Sequence, residues 1–192
     1  MALIGLYLFT YNYIAENRVK AYEYMAFNIF SARVEEIVTV TVNYEEDDYT
    51  EEVIITNEFI GFLEIPRISF NRGFLHRDAE HNYVEKNIYV VETSQMPDVE
   101  NGNLIIAAHS GSGWRAFFRY LHRVELGDYA HVHFNGIKYT YQVVDIYEYP
   151  KEGTVTIRRN SNRNTLTLIT CTENSDELQT IYILELISST RL

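Results

Sequence analysis

LTLITCTENSDELQTIYILEL, Leu166 to Leu186, reads as two β-type runs around a polar turn. The chain's only cysteine, Cys171, stands where the first run stops. Alternation puts Thr167, Ile169 and Cys171 on one face of that strand and Leu168 and Thr170 on the other. In the second run it puts Gln179, Ile181 and Ile183 on one face and Thr180 and Tyr182 on the other. A lone cysteine is more often a small core hydrophobe than a nucleophile. A thiol at a strand end beside a polar loop is accessible, however, and it needs a base or cation nearby to become a thiolate at neutral pH.

Composition sets the frame around this stretch. A length of 192 residues fits one domain with a small appendage, enough to bury a core without disulfides or structural metal. The 16 tyrosines and 10 phenylalanines, with abundant Ile, Val and Thr, lean toward β-structure. A net charge of −11, with basic residues clustered only in pairs such as Arg158-Arg159, argues against a nucleic-acid partner. One cysteine excludes an internal disulfide framework and a cysteine-rich zinc site.

From Tyr11 to Ser31, Ile14, Ala21, Tyr22, Met25, Ala26 and Ile29 recur at helical spacing and predict an N-terminal helix. The apolar run before it, Ala2 to Phe9, is far shorter than the roughly 20 residues that span a bilayer. It reads as the remnant of an anchor or the apolar opening of a packed helix. Strands are predicted at Ile37–Val42, Glu52–Thr56, Phe59–Ile65 and, opening near a proline, Ile65–Phe70. The acidic run within Asn43–Glu52 lacks the interleaved ligands of a calcium loop and reads as a solvated turn. A short strand is expected within Asn87–Glu92 and a buried one at Asn103–Ala108, ended by His109. Ser110-Gly-Ser-Gly113 is a loop, and Trp114–His122 has helical spacing. Tyr129–Phe134 and Ile137–Tyr147 flank the hairpin signal Asn135-Gly136. The fold expected is mostly β, a closed or half-closed barrel with short helices.

Six histidines are candidate partners for the thiol. His131 and His133 share one strand face like a pair of metal ligands, but no third ligand follows, and they read as surface residues. His76 and His81 lie in polar surroundings, and His122 suits a helix end. His109 terminates an apolar strand and opens into a glycine loop, as Cys171 ends its own strand. Two such strand ends on a small barrel can meet at one rim.

Thr167-Leu-Ile-Thr-Cys171 resembles the TLxTC signature of the sortases, bacterial cysteine transpeptidases. Leu104–His109, Phe117-Phe118, Leu121 and Leu126-Gly-Asp128 resemble their histidine strand, short helix and GD turn, and Ile65-Pro-Arg-Ile resembles the strand that opens their catalytic domain. The resemblance covers about residues 60–187. It implies an eight-stranded β-barrel of sortase type over residues 36–192, preceded by an N-terminal helix and anchor remnant over residues 1–35.

By that resemblance, Cys171 is the nucleophile and His109 the proton carrier in cleavage of an LPxTG-like sorting signal. The acyl fragment then passes to an amine of a peptidoglycan precursor or a pilin. Backbone N–H groups near Thr170 and Cys171 are implied at the oxyanion. Sortases normally carry an arginine on the strand after the cysteine, and here Gln179 occupies that place. Either Gln179 fills the role or a basic residue such as Arg115, Arg158 or Arg159 arrives from elsewhere. No cofactor is implied, with calcium left open. The expected location is the outer face of the membrane of a Gram-positive-type bacterium, through an N-terminal anchor. Two rival readings stand beside this one: a degenerate barrel binding peptides or cell-wall components, and a metal protein using His131 and His133.

Overall fold

The computed structural model describes residues 59–113, 115–152 and 154–192 continuously, and before them Thr10, Tyr13, Ile14, Ala21, 24–28, Phe30, Thr39–Val40 and Val53–Ile54. Strands β1 (Thr39–Val40) and β2 (Val53–Ile54) pair as a separate two-stranded sheet. The remaining strands are β3 (Gly61–Ile65), β4 (Phe70–Phe74), β5 (Tyr89–Val90), β6 (Asn103–Ala107), β7 (Tyr129–Phe134), β8 (Ile137–Pro150), β9 (Thr165–Cys171) and β10 (Leu178–Arg191). They form one eight-stranded sheet in the order β4-β3-β7-β8-β10-β9-β6-β5, curled into a nearly closed barrel.

Local chemistry explains the hairpins. Asn135 and Gly136 both take positive φ, 49° and 70°. A two-residue turn of that kind matches the twist of the strands it joins. Strands β8 and β10 pair over 14 residues each, interrupted by register shifts at Ile183/Leu184 and Leu186/Ser188. Such bulges bend a long ribbon enough to close around a core. The inward residues Leu63, Ile106, Val132, Tyr141, Leu166, Leu168, Tyr182 and Leu184 fill that core, nearly all without exposure. Burial pushes the Tyr182 phenol up to about 12. Side chains stitch the seam between edge strands β4 and β5: the Asn87 amide donates to the Gly73 carbonyl at 2.8 Å, and Arg72 donates to Asn87.

Among the described residues only β6 and β9 are paired in parallel, with Asn103 opposite Thr165 and Ala107 opposite Ile169. Parallel pairing brings their carboxyl ends to the same end of the barrel. The site depends on this single feature.

Two local expectations are corrected. Ile65–Phe70 is not one strand: Pro66–Ile68 forms a 3-10 turn, Ser69 follows at φ 51°, and β4 begins at Phe70. Proline fixes φ at a helical value and suits the first position of such a turn. The segment 115–123 contains turns and a 3-10 helix at Leu121–Arg123 instead of the expected helix. So short a stretch cannot repay helix nucleation by itself, and Phe118 and Leu121 instead bury individually in the core.

The run Ala2–Phe9 and the acidic run Asn43–Glu52 lie outside the described residues, as does most of the expected N-terminal helix. Its described positions 24–28 have helical backbone. The rings of Phe27 and Phe30 lie 5.3 and 5.1 Å from that of Phe62, on the barrel's outer face. Among the described residues no helix is long and apolar enough to cross a membrane.

Candidate active site

Across the outer face runs a row of residues from neighbouring strands. Tyr149 on β8 stands opposite Gln179 on β10, which stands opposite Cys171 on β9. The parallel ladder extends the row. Ala107 pairs with Ile169, and His109 and Cys171 each follow two residues later. The ladder therefore brings the chain ends that carry His109 and Cys171 to the same end of the barrel, with β6 ending at Ala107 and β9 at Cys171.

Alternation sets the faces of the two strands. Leu104, Ile106 and Ala108 on the histidine side, and Leu166 and Leu168 on the cysteine side, lie in the core. Ile105 and Ala107 point outward with Thr167, Ile169 and Cys171, and His109 follows two residues past the end of β6. Cys171 is half-buried and His109 exposed.

The backbone around the pair is held closely. The Ala108 N–H donates to the Ile169 carbonyl at 3.1 Å, and the Phe118 N–H donates to the His109 carbonyl at 2.9 Å. The Thr170 hydroxyl, on the inner face, donates to the Ala108 carbonyl at 2.9 Å. From the other side, the Ser110 hydroxyl donates to the Cys171 carbonyl at 2.9 Å. Beyond Ser110 the chain passes through Gly111 and Gly113 at φ 95° and 128°, values that a side chain would strain. Arg119 then gathers the Gly111 and Gly113 carbonyls at 3.2 and 2.6 Å.

The residues considered for the arginine role fall in different places. Gln179 lies on the face of Cys171, but its amide donates to the Pro150 carbonyl at 2.9 Å, toward β8 and away from β9. Arg158 stacks its guanidinium 4.6 Å above the Tyr147 ring. Tyr147 stands opposite Ile181, two positions before the Gln179 row, about 7 Å along the sheet. Its hydroxyl accepts from the Arg158 N–H and donates to the Thr156 carbonyl, both at 2.9 Å. Arg115 is exposed in the turn beyond the glycine loop. Arg159 donates to the Asn101 carbonyl at 3.1 Å. Sequence reasoning missed Ser110, Tyr147 and Tyr149. A hydroxyl adjoining His109 and a Tyr-x-Tyr alternation at the end of a strand were the available signals.

His131 and His133 need a correction. They share the outer face, but His133 is buried, with 4% exposure, not a surface residue. Phe27 meets it edge-on at 5.1 Å. Its Nε2 lies 3.2 Å from the Glu64 carboxylate, while its Nδ1 is buried without a hydrogen-bond partner. His131 Nδ1 faces the Thr140 hydroxyl at 3.1 Å. Burial lowers the pKa of both imidazoles, with Glu64 opposing that shift. Among the described residues no three His, Cys, Asp or Glu side chains are grouped to hold a metal ion.

The family model described as Sortase domain matches residues 63–185. Among solved structures, a Clostridium perfringens sortase D5 transpeptidase aligns at 25% identity and TM-score 0.58, over 69% of this chain and 81% of its own. A sortase C1 from Streptococcus agalactiae aligns at 21% identity and TM-score 0.61, over 71% and 72%. Sortase A from Listeria monocytogenes aligns at 20% identity and TM-score 0.59, over 70% and 91%. No curated protein matches the chain.

Proposed function

Because the chain belongs to the sortase family, we propose that it is an active cysteine transpeptidase that cleaves a sorting-signal peptide through a thioester on Cys171. The observation that supports this reading is the parallel β6–β9 pairing, which ends two residues before His109 on one strand and two before Cys171 on the other.

In this mechanism the Cys171 sulfur, as thiolate, attacks the scissile carbonyl carbon. The C–N bond breaks and His109 protonates the leaving amine, leaving the acyl group as a thioester. An acceptor amine, losing its proton to His109, then attacks the thioester and releases the thiolate. With water in place of the amine, the same steps give hydrolysis. Thr170 shapes the strand end that presents backbone N–H groups to the oxyanion. Gln179 or Arg158 completes the support, Arg158 by movement of its loop and Gln179 by release from Pro150. Arg115, on the loop after His109, is the third candidate.

The substrate in this reading is an LPxTG-like signal of a surface protein, and the acceptor a peptidoglycan-precursor or pilin amine. Residues 36–192 contain the catalytic barrel, whose strands run from Gly61 to Arg191, and residues 1–35 tether it at the outer membrane face of a Gram-positive-type cell. No cofactor is needed for these steps.

One observation favours a second reading, a peptide-binding barrel without turnover. The place of the usual arginine holds a neutral amide already bonded to Pro150. Incubating the protein with sorting-signal peptides and a small amine, then measuring intact mass, separates the two. The expected result is an acyl adduct on Cys171 and a transferred product, both absent in Cys171→Ala. Peptide binding with neither adduct nor product would establish the binding module instead.

A further inference from the structure

We infer that Ser110 is a positioning residue that sets the separation of His109 from Cys171, an inference that rests on the thiol–imidazole reading above. The backbone ladder between β6 and β9 reaches the Ala108 N–H, which bonds to the Ile169 carbonyl. The cysteine and histidine sit just beyond it. There two side-chain hydroxyls join the strands. Thr170, the residue before the nucleophile, bonds to the carbonyl of the residue before the histidine. Ser110, the residue after the histidine, bonds to the carbonyl of the nucleophile itself. The two bonds enclose His109 and Cys171 from opposite sides.

Position makes the Ser110 bond more than decoration. His109 is exposed and leads into a loop with two glycines at positive φ, so little else next to it in sequence stiffens its backbone. Phe118 holds the His109 carbonyl, and Arg119 holds the Gly111 and Gly113 carbonyls. These bonds tie the loop to the segment that follows it. The Ser110 hydroxyl ties it to the cysteine strand. Without that hydroxyl, Ala108 stays bonded to the cysteine strand, and the chain beyond it, His109 included, can pivot there relative to the thiol.

The test is the rate of iodoacetamide alkylation of Cys171, the sole thiol of the chain, as a function of pH. It needs no knowledge of the natural substrate. Iodoacetamide alkylates the thiolate, and an imidazole held beside a thiol is the base that takes its proton. Ser110→Ala is expected to slow neutral-pH alkylation about tenfold, within the roughly 100-fold that a misplacement of about 1 Å can cost. Ser110→Thr, which keeps the hydroxyl, is expected to restore the rate. Combined with His109→Ala, Ser110→Ala is expected to add nothing, because coupled residues fail to add. Simple loosening of the fold would expose the thiol and speed alkylation, opposite in sign.

If His109→Ala slows alkylation but Ser110→Ala leaves it unchanged, or slows it equally without His109, the positioning role is overturned and the function stands. Should His109→Ala itself have no effect, the thiol–imidazole pair is refuted and the Ser110 role falls with it.

Discussion

Gln179 stands directly opposite Cys171 across the β9–β10 ladder, yet its amide donates to the Pro150 carbonyl at 2.9 Å on the far side. Strand pairing puts the residue beside the thiol, while hydrogen bonding turns its functional end away. Charge is the other half of the matter, since a neutral donor is about half as strong as a charged one.

Substitutions at position 179 separate these two effects. With its amide committed to Pro150, Gln179→Ala is expected to change kcat/KM for peptide cleavage by less than about threefold. Gln179→Arg is expected to raise it about tenfold, because a guanidinium from the same backbone position brings charge to the developing oxyanion. Steady-state cleavage of a fluorogenic sorting-signal peptide reads both. A severe loss in Gln179→Ala would mean that the amide leaves Pro150 during turnover.

Tyr147 holds the segment Thr156–Arg158 against β8 through two hydrogen bonds and a stacked guanidinium. Removing the hydroxyl in Tyr147→Phe frees this segment while keeping the ring. The expected outcome is a KM raised about fivefold with kcat nearly unchanged, the pattern for lost uniform binding. A fall in kcat at constant KM would instead implicate Arg158 in the chemical step.

Thr170 bonds to the Ala108 carbonyl in a buried site. Thr170→Val keeps the shape and deletes the donor, and is expected to lower unfolding free energy by about 1 to 3 kcal/mol. Thr170→Ser keeps the donor and is expected to cost less. Urea unfolding followed by circular dichroism measures both, and a larger loss in Thr170→Ser than in Thr170→Val would show that packing of the methyl group matters more than the hydroxyl.

The buried His133 makes stability depend on pH. Its folded pKa lies below 6.5 because burial disfavours the imidazolium more than Glu64 favours it, with Lys138 adding to the depression. The unfolded chain therefore binds the proton more readily. Stabilisation from neutral His133 is fully present above 6.5 and is lost as pH falls through the folded value. His131, also depressed, acts in the same direction. Melting temperature should thus fall more steeply on acidification in the parent than in His133→Gln. Parallel pH profiles would remove His133 from the account.

The sequence by itself determined most of the strands (though not β4, Phe70–Phe74), the asparagine–glycine hairpin, and the faces on which Cys171, Gln179, Ile181 and Ile183 lie. Those follow from alternation and turn chemistry, which act between near neighbours. The sortase-like spacing named His109 and Cys171 as a pair, but no local rule states that their strands run parallel and in register. That was decided by tertiary pairing, with β6 and β9 adjacent although 57 intervening residues (108–164) separate them in the chain. Tertiary structure alone also decided where long side chains end: Gln179 on Pro150, Arg158 on Tyr147, Ser110 on Cys171. Each of those ends is set by whichever carbonyl or ring comes within reach once the barrel closes. His133 was misread for the same reason, since period two identifies its face correctly but cannot say that Phe27 covers that face.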